Sequence, residues 1–73
     1  MPLVEITLIE GRTAEQKAAL ITEVTGAVER SISAPRDAIR VALRELPAEH
    51  WAIGGASIAE IRARDTAKGK KPQ

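Results

Sequence analysis

At 73 residues the chain is one domain, and a domain of this size buries a core too thin to be secure alone. It has no cysteine, one histidine (His50) and one aromatic residue (Trp51), which excludes disulfides and thiolate chemistry and argues against a metal site. The net charge of +1 is unevenly spread, −3 over residues 1–61 and +4 over residues 62–73.

With disulfides and metals set aside, oligomerisation is the remaining way to stabilise so short a chain. The basic C-terminal stretch has the charge to meet nucleic acid or an anionic membrane. It lacks the interleaved aromatics on which bases stack, so it reads as a solvated, disordered tail over residues 65–73 with neither partner. No apolar run approaches the roughly 20 residues of a membrane span. The N-terminus alternates polar and apolar residues and has no signal-type apolar core, so a soluble, cytoplasmic protein is expected.

In chain order, Leu3-Val4-Glu5-Ile6-Thr7-Leu8-Ile9 alternates with period two and is rich in β-branched residues, which predicts a strand. Apolar residues fall on both of its faces, so both should be at least partly covered. Glu10-Gly11-Arg12 is the turn out. Thr13-Ala14-Glu15-Gln16 is a capping box, and a helix follows to about Ile32 with Leu20, Ile21, Val24, Val28 and Ile32 along one stripe. Gly26 inside that helix points to close packing. Ser33-Ala34-Pro35 ends it, because Pro35 biases Ala34 away from helical angles.

Residues 38–46 alternate again and predict a second strand. Pro47-Ala48-Glu49 breaks it. His50-Trp51-Ala52-Ile53 reads as a short strand entering a Gly54-Gly55 turn, and periodicity does not decide between strand and helix for Ala56 to Arg62. The fold class is therefore α/β: a small β-α-β protomer over residues 1–64 with parallel strands and a short C-terminal hairpin. Two strands and one helix leave open sheet edges and an uncovered face, so the protomer should assemble as an oligomer, with the site between subunits.

Among residues that can carry chemistry, Pro2 comes first. A small second residue permits removal of Met1, after which the chain would begin with a secondary amine fixed in a ring. An ordinary α-amino group titrates at about 7.7–8.0, and an apolar site or cationic neighbours lower that value toward neutrality. Such an amine suits proton abstraction next to a carbonyl. The bland alternative is a proline that merely opens a strand. Arg12, after the first strand, and Arg40, on the second, are guanidinium groups able to pair with carboxylates and polarise a carbonyl. Arg12 could equally pair with Glu10, and Arg40 could form an inter-subunit ion pair. Arg36, Arg44, Arg62 and Arg64 share the same chemistry, and nothing local selects among them. Trp51 could wall a dry pocket or simply fill a core. His50 reads as exposed or at an interface. Gly54-Gly55 lacks the strand–glycine–helix context of a phosphate loop.

Taken together, Met1-Pro2, Ile9-Glu10-Gly11-Arg12-Thr13-Ala14-Glu15-Gln16-Lys17, Ala34-Pro35, Ile39-Arg40-Val41 and His50-Trp51-Ala52-Ile53-Gly54-Gly55 resemble the 4-oxalocrotonate tautomerase family. The resemblance spans residues 2 to about 62. It implies a β-α-β protomer in a homohexamer, with Pro2 as catalytic base. It implies Arg12 as the group that binds a distal carboxylate. Arg40, donated by a neighbouring subunit, would contact the other carboxylate end and the 2-oxo oxygen. Trp51 stands where the family often has Phe, in the apolar wall beside the proline, and its larger ring is expected to narrow the pocket or shift substrate preference. The implied activity is keto–enol proton transfer in unsaturated 2-oxo acids such as 2-hydroxymuconate from aromatic catabolism, with no cofactor. The alternatives are a dehalogenase- or hydratase-like relative and a non-catalytic oligomeric binding protein. The stretch Ala52-Ile53-Gly54-Gly55 offers no carboxylate to activate water, which counts against the first of these, although Glu49 or Glu10 could take that part.

Overall fold

The computed structural model describes residues 1–67. Strand β1 (Leu3–Ile9) leads into helix α1 (Ala14–Ile32), a single 3-10 turn (Arg36–Ala38) and strand β2 (Arg40–Leu46). A second 3-10 turn (Ala48–His50) precedes a hairpin of β3 (Ala52–Ile53) and β4 (Ala56–Ser57), and helix α2 (Ile58–Ala67) closes the order.

β1 and β2 pair in parallel, from Leu3 opposite Arg40 to Ile9 opposite Leu46. A parallel pair needs a long crossover, which α1 supplies. One ion pair shows which sheet face the helix covers. Glu45 stands in register with Leu8, and its Oε1 accepts from Lys17 Nζ of α1 at 3.0 Å. Val4, Ile6 and Leu8, with Val41 and Leu43, therefore face the helix, and all five are half-buried. Leu20, Val24 and Val28 form the half-buried stripe of α1. The other sheet face, with Leu3, Glu5, Thr7, Arg40, Ala42 and Arg44, is exposed. Covering of both faces of β1 is thus not achieved within one chain: Leu3 is 60% exposed. Among the described residues Ile39 is the only buried hydrophobic side chain beyond glycine, and none is fully buried.

The helix ends follow local chemistry. The Gln16 N–H donates to Thr13 Oγ1 at 3.1 Å and the Thr13 N–H donates to Gln16 Oε1 at 2.9 Å, which is the expected capping box. At the far end Ser33 adopts left-handed angles, φ 55° and ψ 35°. Gly26 lies on the side of α1 away from the sheet, roughly 200° round from Val24. Its close neighbour is Arg30, whose Nη1 would sit 3.0 Å from an added Cβ.

Three expectations need correction. β2 begins at Arg40 rather than 38, because Pro35 starts a turn in which the Ala38 N–H donates to the Pro35 carbonyl at 2.9 Å. The strand expected over His50–Ile53 is shortened to Ala52–Ile53 for the same reason: the His50 N–H donates to the Pro47 carbonyl at 2.9 Å. The stretch that periodicity left open is a two-residue strand followed by a helix. Gly54 (φ 60°) and Gly55 (φ 89°) make the hairpin turn with the positive angles that suit glycine. α2 then starts from a second capping box. Ser57 Oγ accepts from the Glu60 N–H at 3.1 Å, and Glu60 Oε1 accepts from the Ser57 N–H at 3.2 Å and from Ser57 Oγ at 3.1 Å. The helix runs to Ala67, into the segment expected to be tail; the rest of that expectation, residues 68–73, lies outside the described residues.

These ends predict opposite responses to substitution. Ser57→Ala removes the α2 cap and should lower stability by about 1 kcal/mol. Ser33→Gly relieves a left-handed conformation costing about 1–2 kcal/mol in an L-residue, against about 0.5–1 kcal/mol of extra chain entropy, so it should stabilise slightly. Urea unfolding at one fixed protein concentration checks both; a Ser33→Gly midpoint below that of the parent would show the left-handed serine to be unstrained.

Candidate active site

The ladder between β1 and β2 extends one residue beyond the strands, because the Arg40 N–H donates to the Pro2 carbonyl at 2.9 Å. Pro2 and Arg40 are therefore backbone neighbours at the N-terminal end of the sheet. Their side chains are not. Continuing the alternation of β1 sets the half-buried Pro2 ring on the helix side with Val4, whereas Arg40 lies on the open side with Ala42 and Arg44.

Arg12 sits at the other end. β1 is seven residues long, and at about 3.3 Å per residue roughly 20 Å or more separate Pro2 from the loop that carries Arg12. This loop stays against the end of β2, since the Glu10 N–H donates to the Leu46 carbonyl at 2.8 Å. Trp51 follows that same end of β2. It is half-buried, and its carbonyl accepts from the Ile58 N–H at 2.7 Å, so the first residue of α2 pins its backbone. One chain thus places Pro2 with the backbone of Arg40 at one end of the sheet, and carries Arg12 and Trp51 on segments leaving the other.

The geometry separates arginines that sequence left equivalent. Arg12 Nη1 donates to the Ile9 carbonyl at 3.2 Å, and Arg40 Nη1 donates to the Asp37 carbonyl at 2.7 Å. In both, a backbone carbonyl three residues earlier orients the guanidinium without neutralising it. Arg36, by contrast, is engaged with Glu29 at 2.8 Å. Among the described residues neither Arg12 nor Arg40 has a carboxylate partner, so the Arg12–Glu10 pair considered from sequence is not formed. The positioning carbonyls of Ile9 and Asp37 could not be found from sequence, because they depend on the turn geometry after β1 and before β2. The Ser57–Glu60 cap behind Trp51 could have been found, as Ser-x-x-Glu is a capping signature.

A depression of about 110 Å³ opens on the uncovered sheet face, lined by Glu5, Ile6, Thr7, Ala42, Leu43 and Arg44. None of Pro2, Arg12, Arg40 or Trp51 lines it, so it is a different place from the candidate site. His50 is exposed, and among the described residues no three of His, Asp and Glu converge on a point. Nor is any described helix long and apolar enough to cross a membrane.

Residues 2–61 match the model of the tautomerase enzyme family. The chain is 48% identical over 68 residues to a protein named a probable tautomerase in Ralstonia nicotianae, covering 90% of this chain and 97% of that one. It is 46% identical over 61 residues to the 2-hydroxymuconate tautomerase of Stutzerimonas stutzeri, covering 84% and 97%. A heterohexameric 4-oxalocrotonate tautomerase from Chloroflexus aurantiacus superposes with a TM-score of 0.81 at 40% identity, covering 85% of this chain and all of that one. On the family match and these identities, the chain belongs to the tautomerase family.

Proposed function

We propose that this chain is an isomerase that moves a proton along unsaturated 2-oxo acids, 2-hydroxymuconate among them, with the amine of Pro2 as general base. The observation that carries the reading is the pair of arginines, Arg12 and Arg40, each oriented by a backbone carbonyl and, among the described residues, neither neutralised by a carboxylate. Two oriented, uncompensated guanidinium groups suit a substrate with two anionic or carbonyl ends.

With Met1 in place the Pro2 nitrogen is a tertiary amide and not a base. Removal of Met1 turns it into a secondary amine held in a ring. That amine takes the proton of the 2-hydroxyl group, and the resulting ammonium returns a proton to a carbon of the conjugated system. Substrate and product are isomers, and the amine ends the cycle as it began, so no cofactor is required. Arg40 stabilises the negative charge that develops on the 2-oxo oxygen, and Arg12 holds the distal carboxylate. Trp51 walls the pocket and limits hydration of the amine.

The reading requires more than one copy of the chain. Arg12 lies the length of β1 away from Pro2, and Arg40 is on the other face of the sheet. Subunits meeting with their strands opposed would bring the Arg12 and Trp51 end of one to the Pro2 end of another. The sparse core of the single chain and the heterohexameric assembly of the Chloroflexus aurantiacus relative support a hexamer. Sedimentation at micromolar concentration should find no monomer; a folded, active monomer would sink the shared site.

The direct test is ultraviolet measurement of ketonisation, with 2-hydroxymuconate as diacid and phenylenolpyruvate as monoacid. The active preparation should have the intact mass of a chain beginning at Pro2. Activity in material that retains Met1 would rule the amine out. Pro2→Ala keeps an amine but loses the ring, and should lower kcat/KM by about 10²-fold or more with an unchanged circular dichroism spectrum.

The two arginines should differ in which constant they change. Arg40→Ala should lower kcat by about 10²-fold on both substrates, as expected for charge stabilisation in the transition state. Arg12→Ala should raise KM for the diacid by roughly 10- to 100-fold, the worth of a charged hydrogen-bonded contact, and change the monoacid little. Equal damage on diacid and monoacid would move Arg12 from substrate binding to the subunit interface.

A further inference from the structure

Trp51, the chain's only aromatic residue, lies between two contacts with α2. Before it, the 3-10 turn Ala48–His50 packs against α2. After it, the hairpin pairs Ala52 with Ser57, and one step further out the Ile58 N–H donates to the Trp51 carbonyl at 2.7 Å. Ile58 is the first residue of α2, so its N–H has no acceptor within the helix and is available to Trp51. The residue before it, Ser57, is the one buried polar side chain among the described residues, 9% exposed. The Ser57 hydroxyl works in both directions. It accepts from the Glu60 N–H at 3.1 Å and donates to Glu60 Oε1 at 3.1 Å, while the Ser57 N–H donates to the same carboxylate oxygen at 3.2 Å.

From this arrangement we infer that Ser57 is a positioning residue: with Glu60 it fixes the start of α2, and through the Ile58–Trp51 hydrogen bond it sets where the Trp51 ring stands. Its consequence for turnover rests on the proposed reaction, in which that ring limits hydration of the Pro2 amine. Three physical reasons make the cap, and not the hairpin or the body of α2, the fastening. A two-stranded hairpin is marginal by itself, and β3 and β4 are two residues each. Packing adds little to it, because Ala52 is exposed and Ile53 is 62% exposed. The apolar stripe of α2 is also short, with Ile58 and Ile61 half-buried and Arg62, Ala63 and Arg64 exposed, so the helix depends on how its first turn is tied. Without the Ser57 hydroxyl the Glu60 N–H loses its acceptor, the first turn frays, and Ile58 no longer holds Trp51. A wall that moves admits water, so a residue that never meets substrate acts on the rate through the indole.

With a single aromatic residue, the intrinsic fluorescence of the full chain reports Trp51 alone. In Ser57→Ala the emission should shift to the red, acrylamide quenching should rise and anisotropy should fall. Ser57→Thr keeps the hydroxyl and should recover the parent signals, as should Glu60→Gln, which keeps an acceptor for the Ser57 N–H. Glu60→Ala leaves the hydroxyl on the helix; it is the milder variant and should move each signal the same way by less. Ala19→Gly, in the exposed interior of α1, is a comparable destabilisation far from Trp51 and should leave the fluorescence unchanged. Ketonisation is then measured where activity per chain no longer depends on protein concentration. Ser57→Ala should lower kcat/KM by about 10-fold, and equally on diacid and monoacid, which sets it apart from Arg12→Ala. Ser57→Thr should restore the rate. Parent fluorescence in both Ser57→Ala and Glu60→Ala would overturn the inference, and so would an Ala19→Gly that changes the fluorescence as much as Ser57→Ala. A displaced Trp51 signal with undiminished turnover on both substrates would remove Ser57 from the reaction. The fluorescence needs no substrate, so the hold of Ser57 on Trp51 stands or falls there even if the parent proves inactive on both acids.

Discussion

The parallel register of β1 with β2 is the constraint on which the rest of the molecule depends. It sets Pro2 beside the backbone of Arg40 and, through side-chain alternation, turns the two side chains to opposite faces. It sends the loop carrying Arg12 and the segment carrying Trp51 out at the far end. It also sorts the apolar residues, putting Val4, Ile6 and Leu8 under α1 and leaving Leu3 in the open. A slip of one residue would reverse every assignment at once, since the period of a strand is two. The Lys17–Glu45 pair is consistent with the register, though each side chain is about one-third exposed, 30% and 31%. A pair that exposed is worth at most about 1 kcal/mol, so apolar packing beneath α1, not this contact, holds the register.

The arginines illustrate how a fold makes chemistry available without spending it. A guanidinium already paired with a carboxylate, as Arg36 is with Glu29, offers little to an anionic substrate. Arg12 and Arg40 are instead held by single hydrogen bonds to backbone carbonyls. A carbonyl fixes direction while leaving the net charge intact, so less ordering entropy would remain to be lost on binding a carboxylate. Both carbonyls lie where regular structure stops, at the end of β1 and in the 3-10 turn before β2. Turns are where carbonyls escape the ladder and become free to accept.

How much of this was legible in the sequence depended on the kind of signal. β1 alternates over residues 4–8 and α1 opens with Thr13-Ala14-Glu15-Gln16, and both elements stand where local chemistry places them. The errors cluster after prolines. Pro35 and Pro47 each nucleate a 3-10 turn that consumes residues the alternation assigns to strands. α2 has Ile58 and Ile61 but then Arg62, Ala63, Arg64 and Asp65, so its apolar stripe is too short to show a helical period. Its capping box was present and is the signal that periodicity missed. The candidate residues were legible as a set of expectations through their resemblance to a family, which also implied a site between subunits, but the separation of Pro2 from Arg12 along one chain was not. That separation follows from register and strand length, which pairing decides.

The same economy links stability to chemistry. A 73-residue chain lacking disulfides is short of buried apolar area, and it leaves a sheet face and Leu3 exposed. In the proposed assembly, association would do two things that a larger monomer does separately. It would cover the open face, and it would bring the Arg12 and Trp51 end of one copy toward the Pro2 end of another. In that assembly a residue such as Leu3 would influence turnover without touching substrate, by changing how many complete sites exist at a given concentration. A true catalytic residue changes the rate per assembled site. Dependence of activity on protein concentration distinguishes the two, because mass action rescues a weakened interface and cannot rescue a missing base.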